Sequence, residues 1–157
     1  QLRHNGRIRR REMEERITPP ELPLHRALRA PVMIGTQFSV RATPNHETRP
    51  ILFALYTCKD ECALEVSLLP PAKQGRRARL RLAARNATAE TTPISKKVST
   101  LAAGKELVLG VVVSTHSRFI ALDASFAHSF VHRIRPSAIF ALLIDGAAVC
   151  SEVVVVR

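Results

Sequence analysis

The sequence contains six histidines and three cysteines, the residue types that most often bind a transition metal. His116, His128 and His132 have the pattern His-x(11)-His-x(3)-His without a carboxylate at a fixed offset, so we expect them on different turns and strands. Cys58 and Cys62 form a Cys-x-x-x-Cys pair, but no further pair of Cys or His follows at the spacing of a zinc site. The sequence therefore predicts no metal site.

The residues that perform nucleophilic and acid–base catalysis also lack a recognised arrangement. There is no Gly-x-Ser-x-Gly and no glycine-rich phosphate loop, and the chain has only six glycines. Asp60 and Glu61 are adjacent in a turn, whereas the other carboxylates are scattered, which does not suit paired acid–base work. His132 lies on a mostly apolar strand, where a histidine is typically a hydrogen-bonded core or rim residue. We expect no catalytic residue, no cofactor and no enzymatic activity.

Basic residues are in excess in this chain, and the excess is concentrated in two regions. The formal net charge is +11, and Arg outnumbers Lys 19 to 5, which favours fixed, bidentate contacts. Residues 1–31 contribute +4 and residues 73–97 contribute +7, so the remainder is balanced. This concentration indicates an anionic partner, either acidic protein, RNA or anionic lipid, although a solvated basic face would look the same. The arginines expected to bind a partner from the N-terminal region are Arg7, Arg9, Arg10, Arg11 and Arg16. Those expected to meet an anionic partner from the second region are Arg76, Arg77, Arg79, Arg81, Arg85, Lys96 and Lys97.

The elements that would position these charges differ between the two regions. Residues 7–17 carry Arg–Glu pairs at i,i+4 spacing, such as Arg10 with Glu14 and Arg11 with Glu15, which predicts a short helix. The proline-rich run of residues 18–23 then predicts an extended linker. Residues 79–85 alternate arginine with leucine, which predicts a strand with one cationic and one aliphatic face. Residues 87–99 are rich in Thr and Ala and are predicted to be mainly loop.

Strand chemistry dominates the rest of the chain. Apolar residues recur at every second position from Leu107 to Val113 and again at Leu142 and Ile144. The segment that begins at Val32 predicts a first strand of the domain, and further strands are predicted at residues 51–56 and 63–69. No run of about 18 apolar residues is present, so we expect no transmembrane segment.

These blocks resemble the galectins, the small β-sandwich lectins. The resemblance rests on Gly104, the alternating strand that follows it, the Phe-rich strand at 119–122, Phe-Val-His-Arg at 130–133 and the block from Ile139 to Gly146. It implies an all-β fold, a galectin-like antiparallel β-sandwich (jelly roll) over residues 31–157. The charge and the predicted short helix assign residues 1–30 to a basic N-terminal arm that precedes this domain.

The same resemblance locates the family's sugar-binding positions. Galectins bind galactosides with a His-x-Asn-x-Arg strand, a following Asn and a Trp that stacks on the sugar. Alignment on Pro70 places Ser67, Leu69 and Pro71 at the His, Asn and Arg. The second Asn falls at Ala83, or at Asn86 if the loop is shorter, and the chain has no Trp. We expect the sugar-binding residues to be lost, and we predict that a partner chain covers this face.

The resulting functional hypothesis is a non-catalytic structural or accessory subunit of a large protein or ribonucleoprotein assembly, with other subunits as its partners. Two alternatives are a lectin with an altered site and an RNA-backbone-binding ribosomal protein. An odd number of cysteines favours a reducing compartment. An Arg-rich accessory protein of this kind suits a mitochondrial complex, and the cytoplasm is the other location considered.

Overall fold

The structure is a computed structural model, and all of its long elements are strands. It describes residues 14–18, 21–45, 49–57, 61–69, 78–85, 93–97, 104–114, 118–122, 127–131, 134–146 and 148–157. The strands are β1 Glu14–Ile17, β2 Leu24–Ala27, β3 Gln37–Pro44, β4 Ile51–Thr57, β5 Cys62–Leu69, β6 Arg79–Arg85, β7 Ile94–Lys97, β8 Leu107–Ser114, β9 Arg118–Leu122, β10 Ala127–Val131, β11 Ile139–Gly146 and β12 Ala148–Val156. One turn of 3₁₀ helix, Pro136–Ala138, precedes β11.

The strands form two six-stranded sheets in which the neighbouring strands are antiparallel. Sheet A has the order β1-β12-β3-β8-β9-β10, and sheet B has the order β2-β11-β4-β5-β6-β7. This is the predicted antiparallel β-sandwich. Consecutive segments of the chain alternate between the sheets at several points, as when β1 joins sheet A and β2 joins sheet B.

The core lies between the sheets because the strands alternate apolar and polar residues. In β5, Leu64 and Val66 point into the core, and in β6 Leu80 and Leu82 do the same. Sheet A contributes side chains such as Phe38, whose ring lies 5.9 Å from that of Phe53. A period of two residues places every second side chain on the opposite face, so the same alternation sends the polar residues of these strands outward.

The helix predicted over residues 7–17 is wrong for its described part. Glu14–Ile17 is a strand that pairs with the C-terminal strand, from Glu14 opposite Val156 to Ile17 opposite Val153. Leu24–Ala27 likewise pairs with β11. Both strands lie within the predicted arm of residues 1–30, so the sandwich includes strands that the prediction assigned to the arm. Residues 1–13, which carry the rest of the predicted helix, lie outside the described residues.

Two smaller expectations also need correction. Residues 93–97 were expected in a loop, but Ile94–Lys97 is a strand that extends sheet B beyond β6. The strand predicted to begin at Val32 is not formed. Val32 is buried in the core, but the backbone there leads into a turn and the strand begins at Gln37.

Candidate functional site

The outer face of sheet B is the candidate site, and the alternation of β5 and β6 determines which residues it carries. Because Leu80, Leu82 and Ala84 pack in the core, Arg79, Arg81 and Arg85 must project outward. In β5 the outward residues are Glu65, Ser67 and Leu69. The register places Leu69 opposite Arg79, Ser67 opposite Arg81 and Glu65 opposite Ala83. We call this surface the outer face.

The middle of the outer face is built from small and aliphatic residues. Register pairs connect Leu143 of β11 with Ala54 of β4, and Ala54 with Glu65. Ala54, Ala83 and Ala141 are buried although they do not belong to the core cluster. Leu52 and Leu143 are half-buried beside them. The middle of the outer face is therefore an apolar floor, and the half-buried Leu52 and Leu143 are the part of it that a partner could contact.

Charged side chains border this floor on the side of β6. The guanidinium of Arg81 lies 3.7 Å from the Glu65 carboxylate, with both side chains partly exposed. Arg79 and Arg85 are exposed at either side of Arg81 along β6. Two residues of strand span roughly 6.5–7 Å, so Arg79 and Arg81 present cations at about that separation. Among the described residues of β5 and β6, three outward arginines stand against one outward glutamate, Glu65, so these two strands give this side an excess of positive charge.

Tyr56 lies at the end of the outer face closest to Arg85. Its ring meets that of His25 edge-on, with 6.4 Å between the ring centroids. Burial raises the pKa of the Tyr56 phenol, and a hydrogen bond with Arg85 lowers it in part. Beside it, burial raises the pKa of the Cys62 thiol to about 11, and that thiol donates a hydrogen bond to the Leu64 carbonyl at 3.2 Å. Cys62 is therefore protonated and a poor nucleophile near neutral pH.

Comparison with solved structures identifies this arrangement of sheets. A galectin of Caenorhabditis elegans, LEC-6, superposes with a TM-score of 0.75 at 13% identity, covering 90% of this chain and 96% of that one. This chain has a galectin-like fold. Sheep galectin-11, in a complex with glycerol, gives a TM-score of 0.71 at 10% identity, with coverage of 85% and 97%. A variant of human galectin-16 superposes with a TM-score of 0.68 at 16% sequence identity, and the match covers 88% of this chain and 98% of that one. No protein-family model matches the sequence. A search of curated proteins also finds no match.

The galectin-like fold brings together three of the four positions predicted to replace the sugar-binding residues. Ser67, Leu69 and Ala83 all lie on the outer face, where Ser67 and Ala83 are buried and Leu69 is half-buried. Pro71, the fourth, and Asn86, the alternative to Ala83, lie outside the described residues. The loss of sugar binding that these residues imply stays a prediction.

The predicted basic residues are distributed over several places. Arg79, Arg81 and Arg85 share the outer face, and β7 places Lys97 opposite Arg79 and Lys96 opposite Leu80. Arg76 and Arg77 lie outside the described residues, as do Arg7, Arg9, Arg10 and Arg11. Arg16 pairs within the chain, 2.7 Å from Glu14 and 3.0 Å from Glu152, and its contact with a partner stays a prediction. Its hydrogen bond with Glu14 raises the pKa of its guanidinium further.

A second charged cluster was not predicted. Glu15 is 4% exposed, and its carboxylate lies within 4 Å of three guanidinium groups, those of Arg26, Arg29 and Arg157. Arg157 also donates to the Ala30 carbonyl at 2.9 Å. Glu15 and Arg157 are 142 residues apart in the chain, so no local spacing could have indicated the pair. This cluster links β1, the segment after β2 and the end of β12.

Metal-ligating side chains do not come together in the described ranges. There, no group of three or more His, Cys, Asp or Glu side chains could hold an ion. His128 and Cys62 are within these ranges, whereas Cys58, Asp60, His116 and His132 are outside them. The part of the chain that the structure describes also contains no helix long and apolar enough to cross a membrane.

Proposed function

We propose that this galectin-like domain is a non-catalytic subunit that binds another protein through the outer face of sheet B. The observation that carries this proposal is the composition of that face, an apolar floor bordered on the β6 side by arginines. Protein interfaces have this organisation, with an apolar centre that excludes water and a polar rim that directs the approach of the partner. Leu69 lies where the floor meets the basic rim, directly opposite Arg79.

The same residues provide few of the groups that bind a galactoside. Sugar recognition on this fold needs an amide and a guanidinium that form hydrogen bonds with the sugar hydroxyl groups. It also needs an aromatic side chain that stacks on the C–H face of the sugar ring. The outer face instead has Ser67, Leu69 and Ala83, of which two are apolar, and the chain has no Trp. The large apolar fraction of the floor favours a protein segment over a hydrated sugar.

The chemistry of the rim indicates what kind of segment would bind. Extended chain repeats every two residues at the same spacing as Arg79 and Arg81, so alternate carboxylates of an acidic strand could reach both arginines. The proposed setting is a large assembly in which this subunit is anchored by its basic N-terminal residues. The proposal includes the mitochondrial location that the Arg-rich sequence suggested.

The substitution Leu69→Asp tests the outer face as an interface. A carboxylate placed in an apolar contact loses several kcal/mol of binding, whereas the same change on a solvated strand does little. In size-exclusion chromatography of cell extract, the tagged wild type should elute in a high-mass fraction. We expect the tagged Leu69→Asp variant to elute later, at the mass of the free subunit. Val108→Asp, on the outer side of sheet A, is the matched control because Val108 is also a partly exposed strand residue. Undiminished assembly of a folded Leu69→Asp protein would refute the proposal.

Two further measurements separate the alternative functions. Retention on a lactose column that free galactoside reverses would show a lectin with an altered site. Binding of total RNA that weakens steeply with salt would show contacts of the β6 arginines with phosphates. We expect neither result, because the apolar floor contributes to neither interaction.

A further inference from the structure

Ser95 carries an exposed hydroxyl group on the outer face. It is the second residue of β7, the strand at the end of sheet B, and Ile94 beside it packs against the core. Because side chains alternate along a strand, Ser95 projects from the outer face, where it is exposed. Two other hydroxyl groups of this face are less accessible, since Ser67 is buried and Tyr56 is half-buried.

Two arginines of β6 are the neighbours of Ser95 on this face. The register places Ser95 directly opposite Arg81, which puts their Cβ atoms about 4.5–5.5 Å apart. Arg79, exposed two residues earlier on β6, is the diagonal neighbour at about 7–8 Å. On its other side Arg81 is 3.7 Å from Glu65. A guanidinium has several N–H donors, so Arg81 can contact a second anion while it keeps this carboxylate.

The charge of a phosphate group at Ser95 matches the excess charge of the neighbouring strands. Three outward arginines of β6 stand against Glu65 of β5, a formal excess of two positive charges among the described residues of these strands. Phosphoserine carries a charge of about −1.5 to −2 at pH 7. One phosphate therefore brings the outward charge of β5 and β6 close to zero, at a position within reach of Arg79 and Arg81.

The strand β7 is also a segment that an enzyme can reach. It pairs with β6 through four residues, and Ile94 is the residue by which it packs against the core. A short edge strand with few apolar contacts opens at a low cost in free energy. A protein kinase binds its substrate as an extended chain. Lys96 and Lys97, which follow Ser95 in the sequence, provide charges that an acidic kinase cleft can recognise.

We propose that Ser95 is a phosphorylation site, and that its phosphate binds Arg79 and Arg81 and releases an acidic partner segment from the outer face. A protein kinase transfers the γ-phosphoryl group of a nucleoside triphosphate to Oγ of Ser95. The Oγ–P bond forms, the bond from this phosphorus to the β–γ bridging oxygen breaks, nucleoside diphosphate leaves, and the hydroxyl proton passes to solvent. The phosphate then occupies the guanidinium groups that the acidic segment needs. Release of the segment rests on the proposed function, whereas the contact between phosphate and arginines does not.

Phosphoserine incorporated at position 95 during translation tests that contact without a partner. Arginines favour the dianion, so the second pKa of the phosphate, ordinarily near 6, should be lower by about half a unit or more in a ³¹P NMR titration of the folded chain. The same chain in concentrated urea is the reference, because it keeps the adjacent lysines but loses the register with β6. The double variant Arg79→Gln, Arg81→Gln should abolish the difference. Arg41→Gln is the matched control, since Arg41 is also a strand arginine paired with a glutamate but lies on sheet A, and it should leave the pKa unchanged.

Fluorescence anisotropy with a labelled peptide of alternating glutamate and threonine tests the release. The unmodified chain should bind this peptide, and the chain phosphorylated at Ser95 should bind it at least about tenfold more weakly at low salt, with a smaller difference at high salt. If the unmodified chain does not bind the peptide, the acidic segment of the proposed function is wrong, and the NMR titration still decides whether the phosphate meets the arginines.

Mass spectrometry of the chain isolated from its own cells, with phosphatase inhibitors present, should find phosphate on Ser95. The proposal is overturned if Ser95 carries none, or if the pKa of the phosphate is the same in the folded and the unfolded chain. It is also overturned if the double arginine variant leaves this pKa unchanged, or if the phosphorylated chain binds the peptide as tightly as the unmodified one.

Discussion

Glu15 is a buried carboxylate on an edge strand, and three arginines converge on it. We predict that Glu15→Gln, which keeps the shape and removes the charge, destabilises the domain by about 2–4 kcal/mol. Removal of one partner from a buried ion pair usually costs about 3–5 kcal/mol, because the remaining charge is left without compensation. The distances here, 3.4 to 3.8 Å, are longer than in the strongest charge-assisted bonds, which lowers the expected value. Arg157, 7% exposed, also keeps its hydrogen bond to Ala30.

Thermal and urea unfolding measure this loss. For a chain of this length, a loss of about 2–4 kcal/mol lowers the melting temperature by roughly 5–15 °C. Glu14→Gln is the control, because Glu14 is the preceding residue on the same strand but points outward into an exposed pair with Arg16, and its melting temperature should hardly change. The double variant Glu15→Gln, Arg157→Gln should lose less stability than the two single changes added together. If Glu15→Gln melts no lower than Glu14→Gln, the buried cluster does not stabilise the fold.

Further predictions concern backbone and thiol chemistry. Gly146→Ala should destabilise by about 3 kcal/mol or more, because the added Cβ would lie 2.5 Å from the Pro50 carbonyl oxygen at a φ of 127°. Gly35→Ala, with open space around its Cβ, should cost only about 1–2 kcal/mol in urea unfolding, and equal losses would contradict the steric argument. The thiol of Cys62, with its pKa raised from 9.0 to about 11, should have roughly a hundredfold smaller thiolate fraction at pH 8 than an unperturbed thiol. Its alkylation by iodoacetamide, followed by mass spectrometry, should be slow in the native protein and fast in urea, and rapid native labelling at pH 8 would be the contrary result.

Two of the strands that the sequence predicted correctly, β5 and β6, carry apolar residues at every second position. In the strand predicted at residues 63–69, period-two spacing puts Leu64, Val66 and Leu68 on one face, and this face points toward the core in the structure. The division of β6 into an aliphatic and a cationic face is confirmed for the same reason, because side chains in a strand alternate whatever strand lies beside it. The outer face could therefore be assigned in advance for β5 and β6.

The elements that the sequence mispredicted depend on distant partners. Glu14 and Glu15 complete the i,i+4 pairs with Arg10 and Arg11 that predicted a helix, but a short helix is marginal alone, and the edge of β12 offers residues 14–17 backbone hydrogen bonds. Ile94–Lys97 has a single apolar residue and becomes a strand because β6 has a free edge beside it. The Glu15 cluster is formed by β1, the end of β2 and the end of β12, so it exists only after both sheets have assembled.

The difference between the two faces of sheet B explains how a galectin-like fold can persist at 10–16% identity to solved galectins. The inner face must remain apolar, since Leu64, Val66, Leu80 and Leu82 fill the space between the sheets. The outer face has no such requirement. The residue at position 69 can change without disturbing the core packing of β5, because Leu69 projects away from the core. Fold similarity therefore reports on the inner face alone, and the partner of this chain has to be inferred from the residues that the sandwich presents to its surroundings.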